Sequence, residues 1–320
     1  MNAAVLFCGM GGATWGLIAA GIRPVLCVDG WQRACVAHRR WMPDHPVIRA
    51  RCQDAHRLAR TSVDLVWASP SCKPYSTANR VAGRRGTDHP EYYPLALLVE
   101  QMQAWQARWM VIENVPGLVW SVEGKQELAL FHAAVTRAGL AWTYTLLSAA
   151  SCGVRQLRRR VIVVVGQRLV TIPDGLTGPG FGDTGPGGGV LRTIMGSSPS
   201  QYIRKDNTLG LAVRCDESGR PSGRPRIEPA VDASIPSRHA NWTKAGRAVT
   251  ASGESTSTSP HTGETNWTGR TLAECCALQC VPMEPLEGVP RSVAHELCGN
   301  AVPPPMAKVV AETIMREDAR

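Results

Sequence analysis

Short apolar runs alternate with helix-like segments through the first half of this chain, and that alternation constrains its fold more than any other feature. Ala3–Phe7, Val25–Asp29, Val63–Ala68 and Met110–Glu113 are continuous apolar stretches closed by turn or polar residues. They read as strands buried on both faces. Between them Thr14–Ala20, Gln32–Trp41 and Pro94–Ala107 read as helices. The repetition predicts βαβ units, and therefore an α/β fold with a doubly wound, mostly parallel sheet covered on both sides. Lys125–Gly139 extends the pattern as a helix, and Trp142–Leu147 and Arg160–Gln167 as strands. Near the end, Gly299–Pro304 reads as a turn and Pro305–Met315 as a helix.

The pattern breaks after Gln167. Residues 171–270 hold 16 of the 31 glycines, with many Pro, Ser and Thr and no periodicity. A structureless insertion of that length is uncommon in a compact protein, so a small irregular domain is expected there. Eight Arg and two Lys lie between Arg192 and Arg247, with Tyr202 and Trp242 among them, a composition suited to a nucleic-acid surface. The whole chain of 320 residues carries a formal charge of +9, yet residues 171–270 contribute only +2 of it, from 11 basic and 9 acidic residues. Most of the basic excess therefore belongs to the α/β part. The 11 cysteines are scattered, several within apolar runs, which suggests buried thiols in a reducing cytoplasm. Cys275, Cys276 and Cys280 lack a second ligand pair at zinc spacing, so no metal is expected. No apolar run approaches the length of a membrane span, and Ala3–Ala20 is broken by glycines and lacks a basic leader.

Five short features carry the chemistry. Phe7-Cys8-Gly9-Met10-Gly11-Gly12 joins the first strand to a helix, where glycines let the backbone approach a ligand and the helix start offers N–H groups. Asp29 ends the second strand, a position from which a carboxylate can accept hydrogen bonds from ribose hydroxyls. Pro70-Ser71-Cys72-Lys73 places a cysteine just beyond a buried strand, with a cation that can raise its thiolate fraction. Glu113 ends the neighbouring strand and would face the same crevice, and burying an unpaired carboxylate without a function would be costly. Gln156-Leu157-Arg158-Arg159-Arg160 leads into a later strand, whose alternation puts Arg158 and Arg160 on one face.

In this order, followed by Gly299-Asn300-Ala301-Val302-Pro303-Pro304, the segments resemble the cytosine carbon-5 DNA methyltransferases. The resemblance spans residues 4 to about 312 apart from roughly 170–268, where that family keeps its variable target-recognition domain. It implies a doubly wound, Rossmann-like methyltransferase sheet over 1–169 and 270–320, with target recognition in 170–269. It further implies S-adenosylmethionine as cofactor, double-stranded DNA as partner, and a monomeric, cytoplasmic protein of the kind found in restriction-modification systems. Cys72 would add to carbon 6 of a flipped-out cytosine, Glu113 would contact ring nitrogen 3 and the exocyclic amine, and Arg158 would hold the base oxygen with support from Arg160. Phe7, Gly9, Met10, Gly12, Asp29, Asp54, Pro70, Asn300 and Ala301 would line the cofactor site. Ser76, Arg80, Arg84 and Arg85 would meet DNA from a loop over Tyr75–Tyr92.

The chain departs from the family at three places. Val5 stands where an acidic residue is usual, Asp29 where the longer Glu is usual, and Ser71 and Lys73 flank the cysteine where Pro and Gln are usual. These mark a divergent member of phage or mobile-element type. They leave open a modified cytosine or unusual sulfonium donor, an RNA acceptor, and a catalytically silent DNA-binding relative, although Cys72, Glu113 and Arg158 together speak against the last.

Overall fold

The computed structural model describes residues 1–58, 62–76, 85–156, 158–170, 172–173 and 271–320. The chain begins with β1 (Asn2–Leu6), α1 (Gly12–Ala19), β2 (Arg23–Asp29), α2 (Gln32–Trp41), β3 (Val47–Arg49) and β4 (Leu65–Ala68). It continues through α3 (Ala96–Ala104), β5 (Trp109–Asn114), α4 (Gly117–Trp120), α5 (Val122–Arg137), β6 (Ala141–Ser148) and β7 (Arg159–Gly166). Three helices follow beyond residue 270: α6 (Leu272–Gln279), α7 (Arg291–Asn300) and α8 (Pro304–Asp318).

The seven strands form one sheet in the order β3-β2-β1-β4-β5-β7-β6. β3, β2, β1, β4 and β5 run parallel, and β7 pairs antiparallel with both β5 and β6. The expected doubly wound sheet is therefore present. Its chain order reverses between β1 and β4, which opens a crevice at the carboxyl ends of those strands, where α/β sheets place their ligands.

Alternate residues of each strand feed two cores. Ala3, Val5, Trp67, Val111, Ile162 and Val164 face Leu17 of α1 and Met306, Val310 and Ile314 of α8. Ala4, Leu6, Val66, Ala68, Ile112 and Val163 face Leu98 and Met102 of α3 and Phe131 and Val135 of α5. A third cluster joins α2, α6 and α7 through Ala34, Ala37, Cys276, Leu297 and Cys298. This cluster anchors the C-terminal helices beside the start of the chain.

Two C-terminal features differ from the sequence reading. Gly299 and Asn300 are the last residues of α7 rather than the start of a turn, and α6 lies where no element was expected. Thr271 and Glu274 make a reciprocal capping box at the start of α6, so its signal was present in the sequence.

α1 approaches the C-terminal segment closely. A Cβ on Gly12 would lie 2.1 Å from the Val302 carbonyl oxygen, and one on Gly16 would lie 2.5 Å from the Pro304 carbonyl oxygen. Since backbone would have to move, Gly12→Ala is expected to destabilise the fold by about 1–3 kcal/mol, measurable as a lower urea midpoint with an unchanged slope.

Candidate active site

The glycine turn leaves β1 with Phe7 and Gly9 in left-handed conformations, at φ 54° and 56°, and Gly11 at φ 109°. Nothing stands within 4 Å of where a Gly9 Cβ would be. The Gly9 N–H donates to Asp29 Oδ2 (2.9 Å) and the Trp31 N–H to Asp29 Oδ1 (2.8 Å). Burial pushes the Asp29 carboxyl up from its usual range, against these two backbone hydrogen bonds. Each oxygen keeps a further lone pair, so an oriented, partly desolvated acceptor stands beside an open glycine turn. That arrangement fits a ribose diol.

The remaining residues expected at the cofactor divide by position. The Ala50 N–H donates to the Asp29 carbonyl (3.1 Å), which runs the segment carrying Asp54 alongside the end of β2. Asp54 itself is half exposed and lies 3.9 Å from Arg57. Phe7 packs edge-on against Tyr93, with ring centroids 4.9 Å apart. Asn300 is exposed and Ala301 buried, next to the Gly12–Val302 contact. Met10 is different, because its side chain turns into the cluster of α2, α6 and α7 and leaves only backbone to face a ligand.

His38 supports the turn from below. It is fully buried, its Nε2 lies 3.2 Å from Thr14 Oγ1, and its Cδ2 would be 3.0 Å from a Cβ on Gly11. Burial lowers its pKa from 6.5 to about 4, helped by His45 and Arg39. Because the folded state holds the neutral ring, its contribution is complete above pH 6.5 and is lost as pH falls towards 4. At about 1.4 kcal/mol per pH unit, the loss should reach about 3 kcal/mol. Urea unfolding at pH 7 and pH 4 should show it, and most of the difference should vanish in His38→Gln.

Cys72 lies just past β4, half-buried, after buried Pro70. The Pro70 carbonyl accepts from Asn114 Nδ2 (3.2 Å), tying this loop to the end of β5. A Cβ on Gly117 would meet the Tyr75 carbonyl oxygen at 2.0 Å, so the loop is also packed tightly against α4. Glu113, next to Asn114, is buried, and its Oε1 lies 2.8 Å from Arg160 Nε. The contact is an ion pair rather than a hydrogen bond, and Glu113 Oε1 has no hydrogen-bond donor among the described residues. The register explains the pairing. Glu113 is opposite Ile162 on the antiparallel ladder, and Arg160, two residues from Ile162, shares its face.

Arg158 reaches the C-terminal helices. It is buried at 3% exposure, and its Nη2 donates to the carbonyls of Gly299 (3.0 Å) and Ala301 (3.3 Å). Gln279 Nε2 reaches the carbonyls of Cys298, Gly299 and Ala301, and Gln156 Nε2 reaches Gln279 Oε1 (3.2 Å). The two arginines therefore have different partners: Arg158 holds the end of α7, and Arg160 stands at Glu113. Gln279 was missed by the sequence reading.

Of the residues expected to meet DNA, Ser76 donates its N–H to the Lys73 carbonyl (3.4 Å), and Arg85 is 3.8 Å from Glu123 of α5. Arg80 and Arg84, and residues 174–270 with the arginines expected to take part in target recognition, lie outside the described residues. Cys275 and Cys276 are buried in α6, and Cys280 is exposed at its end. Among the described residues no group of three or more His, Cys, Asp or Glu could hold a metal ion. No described helix is long and apolar enough to cross a membrane.

The sheet order, with β7 inserted antiparallel, is that of class I methyltransferases. Solved structures share it over nearly the full length at low identity. A DNMT2 variant from Spodoptera frugiperda superposes with a TM-score of 0.64 at 14% identity, covering 98% of this chain and 99% of that one. A DNA modification methyltransferase encoded within an E. coli prophage gives 0.60 at 15% identity, covering all of both chains. The C-5 cytosine-specific DNA methylase family model matches residues 1–174, and the chain belongs to that family. Among curated relatives, the type II methyltransferase M.AquIA of Picosynechococcus is 31% identical over 179 residues, covering 51% of this chain and 71% of that protein. M1.HphI of Haemophilus parahaemolyticus is 30% identical over 168 residues, but the match spans only 44% of its length.

Proposed function

We propose that this protein transfers a methyl group from S-adenosylmethionine to carbon 5 of cytosine in double-stranded DNA, acting in the cytoplasm. The observation that carries the reading is the convergence of the Cys72 loop and the Glu113–Arg160 pair on neighbouring strand ends, fastened by Asn114 to Pro70. S-adenosylmethionine, when bound, supplies a methyl group on a positively charged sulfur. Gly9, Asp29 and the Gly12–Val302 contact would form its cradle, with Asp29 accepting from the ribose.

The chain's own residues do the rest. Cys72 as thiolate forms a bond to carbon 6, and the displaced electron pair makes carbon 5 nucleophilic. Glu113 would hold the ring nitrogen 3 and exocyclic amine edge, where negative charge would otherwise build up during addition. Arg160, already beside Glu113, takes the base-oxygen role that the sequence reading gave to Arg158. After methyl uptake a water molecule accepts the carbon-5 proton, the electron pair of that bond re-forms the carbon 5–carbon 6 double bond, the carbon 6–sulfur bond breaks, and Cys72 is regenerated as thiolate. A stacked base cannot present its ring face to a thiol, so the cytosine must flip out, at a cost of about a few kcal/mol. Residues 170–269 are assigned to target recognition, and residues 1–169 and 270–320 to catalysis.

The test is covalent trapping on a 5-fluorocytosine duplex in the presence of the cofactor, since fluorine blocks the elimination that frees Cys72. A denaturation-resistant adduct mapping to Cys72 is expected. An adduct with transfer RNA in place of the duplex would move the acceptor to RNA, and none with either would refute the catalytic reading.

A further inference from the structure

The two residues at which the cysteine loop departs from its family turn to the same partner. Glu91 Oε2 accepts a 2.7 Å hydrogen bond from Ser71 Oγ, and Glu91 Oε1 accepts a 2.6 Å one from Lys73 Nζ. One carboxylate thus grips the residues immediately before and after Cys72. The Lys73 ammonium also lies 3.7 Å from Glu296 Oε1, on α7 one turn before Asn300. His89 Nδ1 accepts the Glu91 N–H at 3.0 Å and steadies that backbone. A proline before the cysteine would fix its own φ, whereas serine leaves it variable. The bond from Ser71 to Glu91 restores a restraint at the same position.

We propose that Glu91 is a positioning residue for the nucleophile: it fastens both neighbours of Cys72 and holds the Lys73 ammonium beside the thiol, with Glu296 as the second anchor. This rests on Cys72 being the nucleophile. Lys73 and Glu91 side chains are 29% and 45% exposed, so the pair adds little to stability. Its effect is on geometry and local charge. Burial opposes charge on both, yet Glu91 and Glu296 hold Lys73 above its usual pKa, while Lys73, Ser71 and His89 hold Glu91 below its own. Both shifts favour the charged pair, so the clamp is intact at neutral pH.

The test is the rate of Cys72 alkylation by iodoacetamide against pH, read from the Cys72 peptide by mass spectrometry, without DNA or cofactor. Lys73→Gln and Glu91→Gln should each shift the profile to higher pH and slow the reaction about tenfold at neutral pH. Lys73→Arg should restore most of the rate, and Ser71→Ala should have a smaller effect than Glu91→Gln. Circular dichroism and urea midpoints should match the parent chain in all four. Unchanged or faster alkylation in Glu91→Gln with the fold intact would overturn the clamp. On the 5-fluorocytosine duplex, Glu91→Gln should slow adduct formation at saturating DNA while leaving the half-saturating concentration unchanged. If the parent forms no adduct, the catalytic reading falls, and the alkylation profiles still decide whether Glu91 controls the thiol.

Discussion

Cys72→Ser is expected to abolish the adduct with a 5-fluorocytosine duplex and to lower methyl transfer by about 10⁴-fold or more, the scale seen when a nucleophile is removed from an assembled site. The substitution is nearly isosteric. The loop remains fixed by the Asn114 bond to the Pro70 carbonyl and by its packing on Gly117, so thermal stability and cofactor affinity should remain close to those of the parent. Only the chemistry changes, because a serine hydroxyl is a far weaker acid than a thiol and stays protonated at neutral pH. Radiolabelled methyl incorporation checks the rate, and cofactor titration checks that the site is intact. Residual transfer within tenfold of the parent would mean that carbon 6 is not attacked by Cys72.

The candidate site positions were legible because each follows an apolar run whose end could be read directly. Gly9, Asp29, Cys72 and Glu113 all sit at the carboxyl ends of parallel strands, and buried strands in such sheets announce themselves by continuous apolar residues. Chemical partners across the fold were less legible. Glu91 and Glu296 are polar residues in unremarkable stretches, and nothing local to them predicts Ser71 or Lys73 as neighbours. β3 is only Val47–Arg49, too short to show any period. α7 was missed because Gly299 and Asn300 are ordinary helix-ending residues. Here they do end the helix, and the polar network of Arg158 and Gln279 takes up the carbonyls left open there. Strand alternation would put Arg158 and Arg160 on one face, but Arg158 precedes β7, which begins at Arg159. Alternation could not tell which of them reaches Glu113, since that depends on the register of β7 against β5, and register is a tertiary fact.

That difference between the two arginines yields the second large effect. Arg158→Met should act through the fold. It leaves the Gly299 and Ala301 carbonyls short of a charged donor in a buried place, with Gln279 only partly compensating. A loss of about 2–4 kcal/mol is expected, together with weaker S-adenosylmethionine binding, because the same carbonyls fix the segment that packs on Gly12. Arg160→Met should act chiefly on the rate. Its side chain and that of Glu113 are 13% and 8% exposed, so losing the guanidinium leaves a nearly buried carboxylate without its partner, and a stability loss of about 3 kcal/mol should accompany the change. Its cost should fall on the rate, since a preorganised cation facing charge that develops in the transition state is worth about 10²–10³ in kcat. Chemical unfolding, cofactor titration and single-turnover methyl transfer on both variants separate the cases. If the loss of rate fell on Arg158→Met and left Arg160→Met within tenfold of the parent, the assignment of base contact to Arg160 would be reversed. Equal losses of rate would instead mean that the two guanidinium groups act as one unit, and the double variant would then be no worse than either single change.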